Sequence, residues 1–315
     1  MPAPRPVPPE LGAGPFTARY AAGLGVSERV LRGKRFRRVH PRVWVHAAHA
    51  MTFADEVEAA RLALPEGSHV DGETRHRLLG YDAGSARPLE FVIDEDQHRD
   101  LLGVFLHRTV LLPPLDGTGV TPAAAFIRCC ERQRLIDLVK RGDWLLHRGH
   151  MTREELVSLA TAQSWRPGAA QALRVAAMLD GRARSPKESE LRVLVIGCGL
   201  PTPEVNVDLV VRGRWLGCVD LLLRAWLLVL EYEGRQHAED MTQFTRDIGR
   251  YAGLRDHDVE YRQITDAMLG RPRALMLMVH EKLRERGYDG PPPDFGASWR
   301  ALFARVPAPR RVARS

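Results

Sequence analysis

Apolar positions near the start of the chain come in short groups divided by glycines and basic residues, in FTARYAAGLGVSERVLRGKRFRRVHPRVWVHA. The spacing predicts a short helix over 17–22, a tight turn at Gly23 and Gly25, and a second helix over 28–32 behind Ser27 as N-cap. Phe36, Val39, Val43 and Val45 then predict two short strands around Pro41. Helix, turn, helix and β-wing is the order of a winged helix-turn-helix. Helical spacing returns over 55–64, closed by Pro65-Glu66-Gly67, and short strands are predicted at 89–93 and 104–107. A broken helix follows over 123–147. Another begins after Thr152, where Thr152 and Glu155 form a capping box.

The pattern is clearest from 186 onward. Pro186 opens a helix with Leu191, Leu194 and Val195 on one face, and Gly199 ends it. Three strand-like runs occupy 204–211, 215–223 and 226–232, joined by Arg212-Gly213-Arg214 and by Arg224-Ala225. A polar helix over 238–255, a strand over 259–264 and a helix over 269–286 capped by Asp266 complete the order α-β-β-β-α-β-α. That order predicts a three-layer mixed sheet, and the chain as a whole reads as α/β (mixed α+β). The expected divisions are a disordered Pro/Gly leader (1–15), the winged helix-turn-helix (16–50), a mixed α/β middle region (51–180), a basic linker at 182–184, the sheet domain (186–286) and a flexible basic tail (287–315).

Charge adds a direction to this outline. The formal net charge is +7, and residues 1–50 hold nine Lys/Arg against Glu10 and Glu28. The remaining 265 residues carry 37 of each sign, so the whole surplus lies at the front, as a polyanion-binding face requires. Arg29, Arg32, Lys34, Arg35, Arg37 and Arg38 fall on the expected second helix and wing, where phosphates and groove edges are contacted. Only four of the basic residues are lysines, so arginine count by itself carries little weight. The 44% apolar and 27% charged fractions are those of a globular chain. No apolar run is long enough to span a membrane, and the Pro-rich start lacks a signal-peptide core, which makes a cytoplasmic protein the expectation. Cys129, Cys130, Cys198 and Cys218 lack metal-binding spacing and read as small buried residues of a reducing compartment, and His69, His76 and His107 read as structural.

Candidate chemistry is confined to the last third. Asp220 interrupts the apolar strand CVDLLL, and Glu231 and Glu233 end the next one, LLVLEYEG. Glu231 and Glu233 are two apart and share a strand face. A carboxylate in an apolar strand costs several kcal/mol unless it is paired or binds a cation. Converging carboxylates repel each other, and a hard divalent ion removes that repulsion. Gly234 frees the backbone to turn and presents His237, while Arg246, Asp247 and Arg250 follow on the next predicted helix, with Asp247 and Arg250 at i, i+3.

The run SPKESELR, VDLLL, LEYEGRQH, FTRDIGR and VEYRQIT resembles the very-short-patch-repair-endonuclease-like family 559 of domains of unknown function, in the PD-(D/E)xK superfamily. The resemblance covers 186–286 and implies a restriction-endonuclease-like fold with Mg²⁺-dependent phosphodiester cleavage. By motif position it implies Glu188 as the helix acid, Asp220 as the strand acid, Glu231 and Glu233 as the acidic pair, and His237 as the histidine after the glycine. Asp220, Glu231 and Glu233 would then hold Mg²⁺, or Mn²⁺ in its place, and Arg246 and Arg250 would grip non-bridging oxygens. The superfamily's ExK lysine is absent: Glu233 stands at its place, which leaves Lys187 or His237 to act on the attacking water. The front of the chain resembles the winged-helix head of AbiEi-type antitoxin proteins, more by pattern and basic residues than by a fixed motif.

The function expected from these readings is a DNA-binding protein with a metal-dependent endonuclease-like domain. The alternative is a DNA-binding regulator or antitoxin-like protein whose nuclease fold is inactive, and an RNA-directed nuclease is a third reading. Neither a membrane nor a particular protein partner is implied.

Overall fold

A computed structural model describes residues 6–85, 87–97, 99–233 and 253–308. The chain divides into two compact units, residues 1–128 and 129–315. This places the division inside the predicted middle region, so that 51–128 belong with the front of the chain and 129–180 with the back.

The first unit opens with β1 (Phe16–Thr17), α1 (Ala18–Gly23), α2 (Glu28–Leu31), β2 (Phe36–His40) and β3 (Val43–His46). Thr17 starts α1 by accepting the Tyr20 N–H at 3.1 Å. The strands form an antiparallel sheet in the order β1-β3-β2, with Phe16 opposite Trp44 and Phe36 opposite His46. Leu11, Phe16, Ala21, Leu31, Phe36 and Trp44 make its core, and the Phe16 and Phe36 rings meet edge-on at 5.7 Å. Leu11 is fully buried inside what the sequence suggests is a disordered leader, so the described part of that leader packs into the unit.

α3 (Phe53–Ala63) begins with a capping box between Thr52 and Asp55. β4 (His69–Val70), α4 (Gly72–Leu78), β5 (Leu89–Ile93) and β6 (Val104–Arg108) follow, with the sheet order β4-β5-β6 and β5 parallel to β6. The β7 (Leu115–Asp116) and β8 (Gly119–Val120) hairpin and α5 (Pro122–Cys130) close the unit. α4 is absent from the sequence reading because GETRHRL has no apolar stripe. Its Thr74, Arg75 and His76 are buried instead on internal polar partners, His76 against the Pro122 carbonyl at 3.0 Å. That contact agrees with the structural reading of His76.

The second unit contains α6 (Leu135–His147), α7 (Arg153–Ala162), α8 (Ala169–Ala176) and α9 (Pro186–Gly197). Then come β9 (Glu204–Val211), β10 (Arg214–Leu223), β11 (Leu228–Tyr232) and β12 (Glu260–Ile264), and last α10 (Asp266–Leu269), α11 (Pro272–Glu285) and α12 (Ala297–Leu302). Its sheet has the order β12-β11-β10-β9, antiparallel except for the parallel β11–β12 pair. α6 is bound to α9 through the buried Arg192–Asp143 pair at 2.8 Å and the Lys140–Glu190 pair at 2.7 Å, which explains why 129–180 fold with this unit.

Three expectations are corrected here. Residues 182–184 are no loose linker, since Ala183 is buried and the Arg184 N–H donates to Glu188 at 2.9 Å. The predicted helix 269–286 is two helices, because Pro272 starts a new one and Asp266 lies inside the first behind Thr265. The tail is partly folded: α12 buries Trp299 and Leu302, and a Cβ on Gly197 of α9 would meet Leu302 Cδ1 at 2.5 Å.

Candidate functional site

β10 and β11 pair through Leu223↔Leu228, Leu222↔Val229 and Leu221↔Leu230. Asp220 and Glu231 are the next residues on each strand. By alternation both leave the side on which Leu221 and Leu230 are buried, so the two acids share the opposite side of the sheet. The Asp220 carboxylate then stands in for a ladder carbonyl, as its Oδ2 accepts the Tyr232 N–H at 3.0 Å. Glu231 Oε2 accepts the hydroxyl of Tyr261 on β12 at 3.0 Å, and Val229↔Tyr261 and Glu231↔Gln263 are register pairs of the parallel ladder. Both acids are half-buried. Glu233 follows as an exposed residue just past β11, its own N–H donated to the Ile264 carbonyl at 2.9 Å.

Glu188 reaches the neighbourhood from the first turn of α9. Its backbone N–H is capped by Ser185 Oγ at 3.2 Å, and its buried carboxylate accepts the Arg184 N–H at 2.9 Å and Asn206 Nδ2 at 2.6 Å. Asn206 lies on β9 between the pairs Val205↔Leu221 and Val207↔Val219, which sets it beside Asp220. Its backbone φ of 46° is left-handed, a conformation asparagine tolerates better than the valines around it. Asn206 and Tyr261 are the residues the sequence reading misses. The only signals for them were an amide in the Val-rich run EVNVDLVV and a tyrosine in the last strand.

Lys187 does not serve this side of the sheet. Its ammonium lies 2.8 Å from Asp266 and 5.9 Å from the ring centroid of Tyr232, whose side chain alternates away from Glu231. Burial works against its charge, but Asp266 and Glu190 outweigh that and hold its pKa above the ordinary lysine value. With its ammonium on Asp266, Lys187 is not brought together with Asp220 and Glu231. His237, Arg246, Asp247 and Arg250 lie outside the described residues. Among the described residues, no group of three or more His, Cys, Asp or Glu is arranged to hold a metal ion. Mg²⁺ is commonly bound by one or two carboxylates and keeps much of its water, and Asp220 and Glu231 offer two carboxylates on one side of the sheet.

In the first unit Arg29, Arg32, Lys34, Arg37 and Arg38 are exposed and Arg35 is half-buried. α2 is a single turn, as the predicted span 28–32 implies, with Arg32 at its C-cap and paired to Glu28 at 2.9 Å. Most of the cationic surface is therefore on the hairpin rather than on a groove-length helix. β2 is an edge strand, which lets neighbouring Arg37 and Arg38 both reach solvent, and Arg37 is steadied by the His49 carbonyl at 3.1 Å. Arg42 sits at the hairpin tip after Pro41 with a φ of 62°, a further exposed cation that the sequence reading did not include.

The chain is 26% identical over 186 residues to two uncharacterized proteins of Mycobacterium tuberculosis, from strains CDC 1551 and H37Rv, covering 58% of this chain and 69% of each relative. No family model matches it. No solved structure matches it either. Among the described residues no helix is long and apolar enough to cross a membrane. Cys129, Cys130 and Cys198 are buried, and Cys218 is half-buried with Arg184 3.6 Å from its sulfur.

Proposed function

We propose that this chain is a DNA-binding protein whose second unit has a restriction-endonuclease-like fold and hydrolyses phosphodiester bonds with Mg²⁺ or Mn²⁺, in the cytoplasm. The observation that carries the reading is the Asp220–Glu231 juxtaposition at the end of the β10–β11 ladder. Asp220 and Glu231 hold the cation, and Tyr261 and the Tyr232 N–H fix the orientation of their carboxylates. Glu188 and Asn206 orient the adjoining strand, with Glu233 available to a metal-bound water. A divalent ion in such a place polarises phosphate oxygens and lowers the pKa of bound water. His237 is the remaining candidate for a general base. The β1–β3 sheet with α1 and α2 acts as a winged helix-turn-helix, gripping phosphates through Arg29, Arg32, Lys34, Arg35, Arg37 and Arg38. Its binding weakens steeply with salt.

The test is incubation of the purified chain with supercoiled plasmid and Mg²⁺ or Mn²⁺. Nicking that disappears in Asp220→Ala and Glu231→Ala supports the nuclease. One observation favours the inactive-regulator alternative: Glu233 occupies the usual lysine position while Lys187 is tied to Asp266. Salt-sensitive duplex binding without cleavage of DNA or RNA in either metal would decide for that alternative.

A further inference from the structure

The hairpin joining β9 and β10 has a two-residue loop, Arg212 and Gly213, between the pairs Val211↔Arg214 and Val210↔Trp215. Both loop residues have left-handed backbones, with φ of 50° and 78°. This is the I′ type of turn, for which Asn-Gly is the favoured pair because an L side chain at the first position is strained. An arginine is kept there instead. Arg212 and Arg214 are exposed and neither is in a salt bridge among the described residues, although the Asp258 carboxyl, held below its ordinary value mainly by Arg286, also feels the Arg212 charge. Beside them Trp215 is 62% exposed, the most exposed tryptophan of the chain, over the half-exposed Val210 across the hairpin. The ring is not left to rotate freely: its indole N–H donates to Asp208 Oδ1 at 2.9 Å. β10 also continues past its last pair with β11, from Asp220 back to Arg214, with β9 as its only strand neighbour there among the described residues. The hairpin is thus an arm that begins at the candidate acids, and Trp215 lies roughly 16 Å along the strand from Asp220.

We propose that this arm is a second nucleic-acid site, in which the Trp215 indole stacks an unpaired DNA base while Arg212 and Arg214 contact the flanking phosphates. An exposed, oriented aromatic next to an arginine-bearing turn has the chemistry of a single-strand platform: bases of any identity offer a π-face, and the neighbouring charge tracks the backbone. By alternation Arg214 leaves the face opposite to Trp215, so the strand is expected to pass round the hairpin tip, with its phosphates on Arg212 and Arg214 and away from the Asp208 carboxylate. The inference rests on the DNA-binding reading above and adds to it a contact on the second unit and a preference for unpaired strand.

The experiment uses the full chain, a fluorescein-labelled oligo(dT) of about 20 nucleotides and a duplex of the same length, followed by fluorescence anisotropy. Trp215→Ala is expected to weaken oligo(dT) binding by about tenfold, Trp215→Phe by much less, and neither to alter duplex binding by more than about twofold. Arg212→Asn with Arg214→Gln is expected to weaken oligo(dT) binding and flatten its salt dependence. Trp215 is on the surface, and unchanged circular dichroism would show that the variants fold. Equal oligo(dT) affinity in Trp215→Ala and the parent overturns the proposal, as does a parent that does not bind oligo(dT). Reduced self-association in Trp215→Ala with DNA affinity unaltered overturns it too, and makes the surface a protein contact. Duplex binding lost in Arg38→Ala with Arg42→Ala, while Trp215→Ala is neutral, leaves the DNA-binding head and removes this site. Trp215-dependent oligo(dT) binding without any duplex binding does the reverse.

Discussion

Arg75 on α4 of the first unit and the Asp220–Glu231 pair on the sheet of the second are both charged groups of the interior, yet they have different relations to solvent. Arg75 is 5% exposed, and its guanidinium is held twice, by the Val120 carbonyl at 2.9 Å and by Asp116 at 2.6 Å. Around it Glu90 accepts the Glu73 N–H at 2.7 Å, next to Gly72, whose φ of 54° favours glycine and where a Cβ would displace the Glu90 carboxylate. Asp220 and Glu231 are half-buried, and each receives a protein donor on one carboxylate oxygen. On the proposed function, the difference separates charge that supports the fold from charge presented to a cation. A fully enclosed ion has its hydrogen bonds supplied by the protein, whereas an oriented carboxylate is preorganised for a cation.

The largest effect is expected at the enclosed arginine of the first unit. Arg75→Ala strands Asp116 and the Val120 carbonyl, and is expected to cost about 3 kcal/mol in a thermal or urea melt of the full chain. Metal affinity should not follow. On the other side, Asp220→Asn keeps an oxygen to accept the Tyr232 N–H while removing the charge. It is expected to lower Mn²⁺ affinity about 100-fold by isothermal titration calorimetry, with a cooperative thermal melt retained. Tyr261→Phe removes only the orienting hydroxyl and is expected to weaken Mn²⁺ about tenfold. If Asp220→Asn unfolds the chain as Arg75→Ala does, the distinction drawn here fails and Asp220 joins the structural charges.

The acids were legible in the sequence because each breaks an apolar strand, and strand alternation then needs only the register to place them together. The register could not be read, since the Arg224–Trp226 turn and left-handed Leu227 delay β11 to Leu228. That delay is what sets Asp220 beside Glu231. Asn206, Tyr261 and Glu190 were not legible, as their roles depend on cross-strand and helix neighbours far away in the chain. Arg75 and His76 failed for a related reason: GETRHRL looks like a solvated segment until the carbonyls of residues 120 and 122 close over it. The basic cluster was visible by count, and the short second helix behind Ser27 was legible to within a residue, 28–32 against Glu28–Leu31.

The smallest expected effect is a pH dependence confined to the first unit. Burial alone would raise the pKa of Asp116, but hydrogen bonds from the Thr118 N–H and hydroxyl, together with Arg75, outweigh it and leave the carboxyl below its ordinary value. A carboxyl that binds its proton less readily when folded stabilises the fold while ionised. The contribution is complete above the unfolded pKa, near about 4, and is lost as pH falls through the lower folded value. Asp116→Asn should remove that acid limb: between about pH 5 and pH 2 its melting temperature should fall less steeply than the parent's, from a lower starting point at neutral pH. Asp116 is partly exposed, so the slope is modest, and high salt should shrink it further. A parent and variant with parallel pH profiles would mean that Arg75 is held by the Val120 carbonyl alone, and the closed network of the first unit would then be a backbone contact rather than an ion pair.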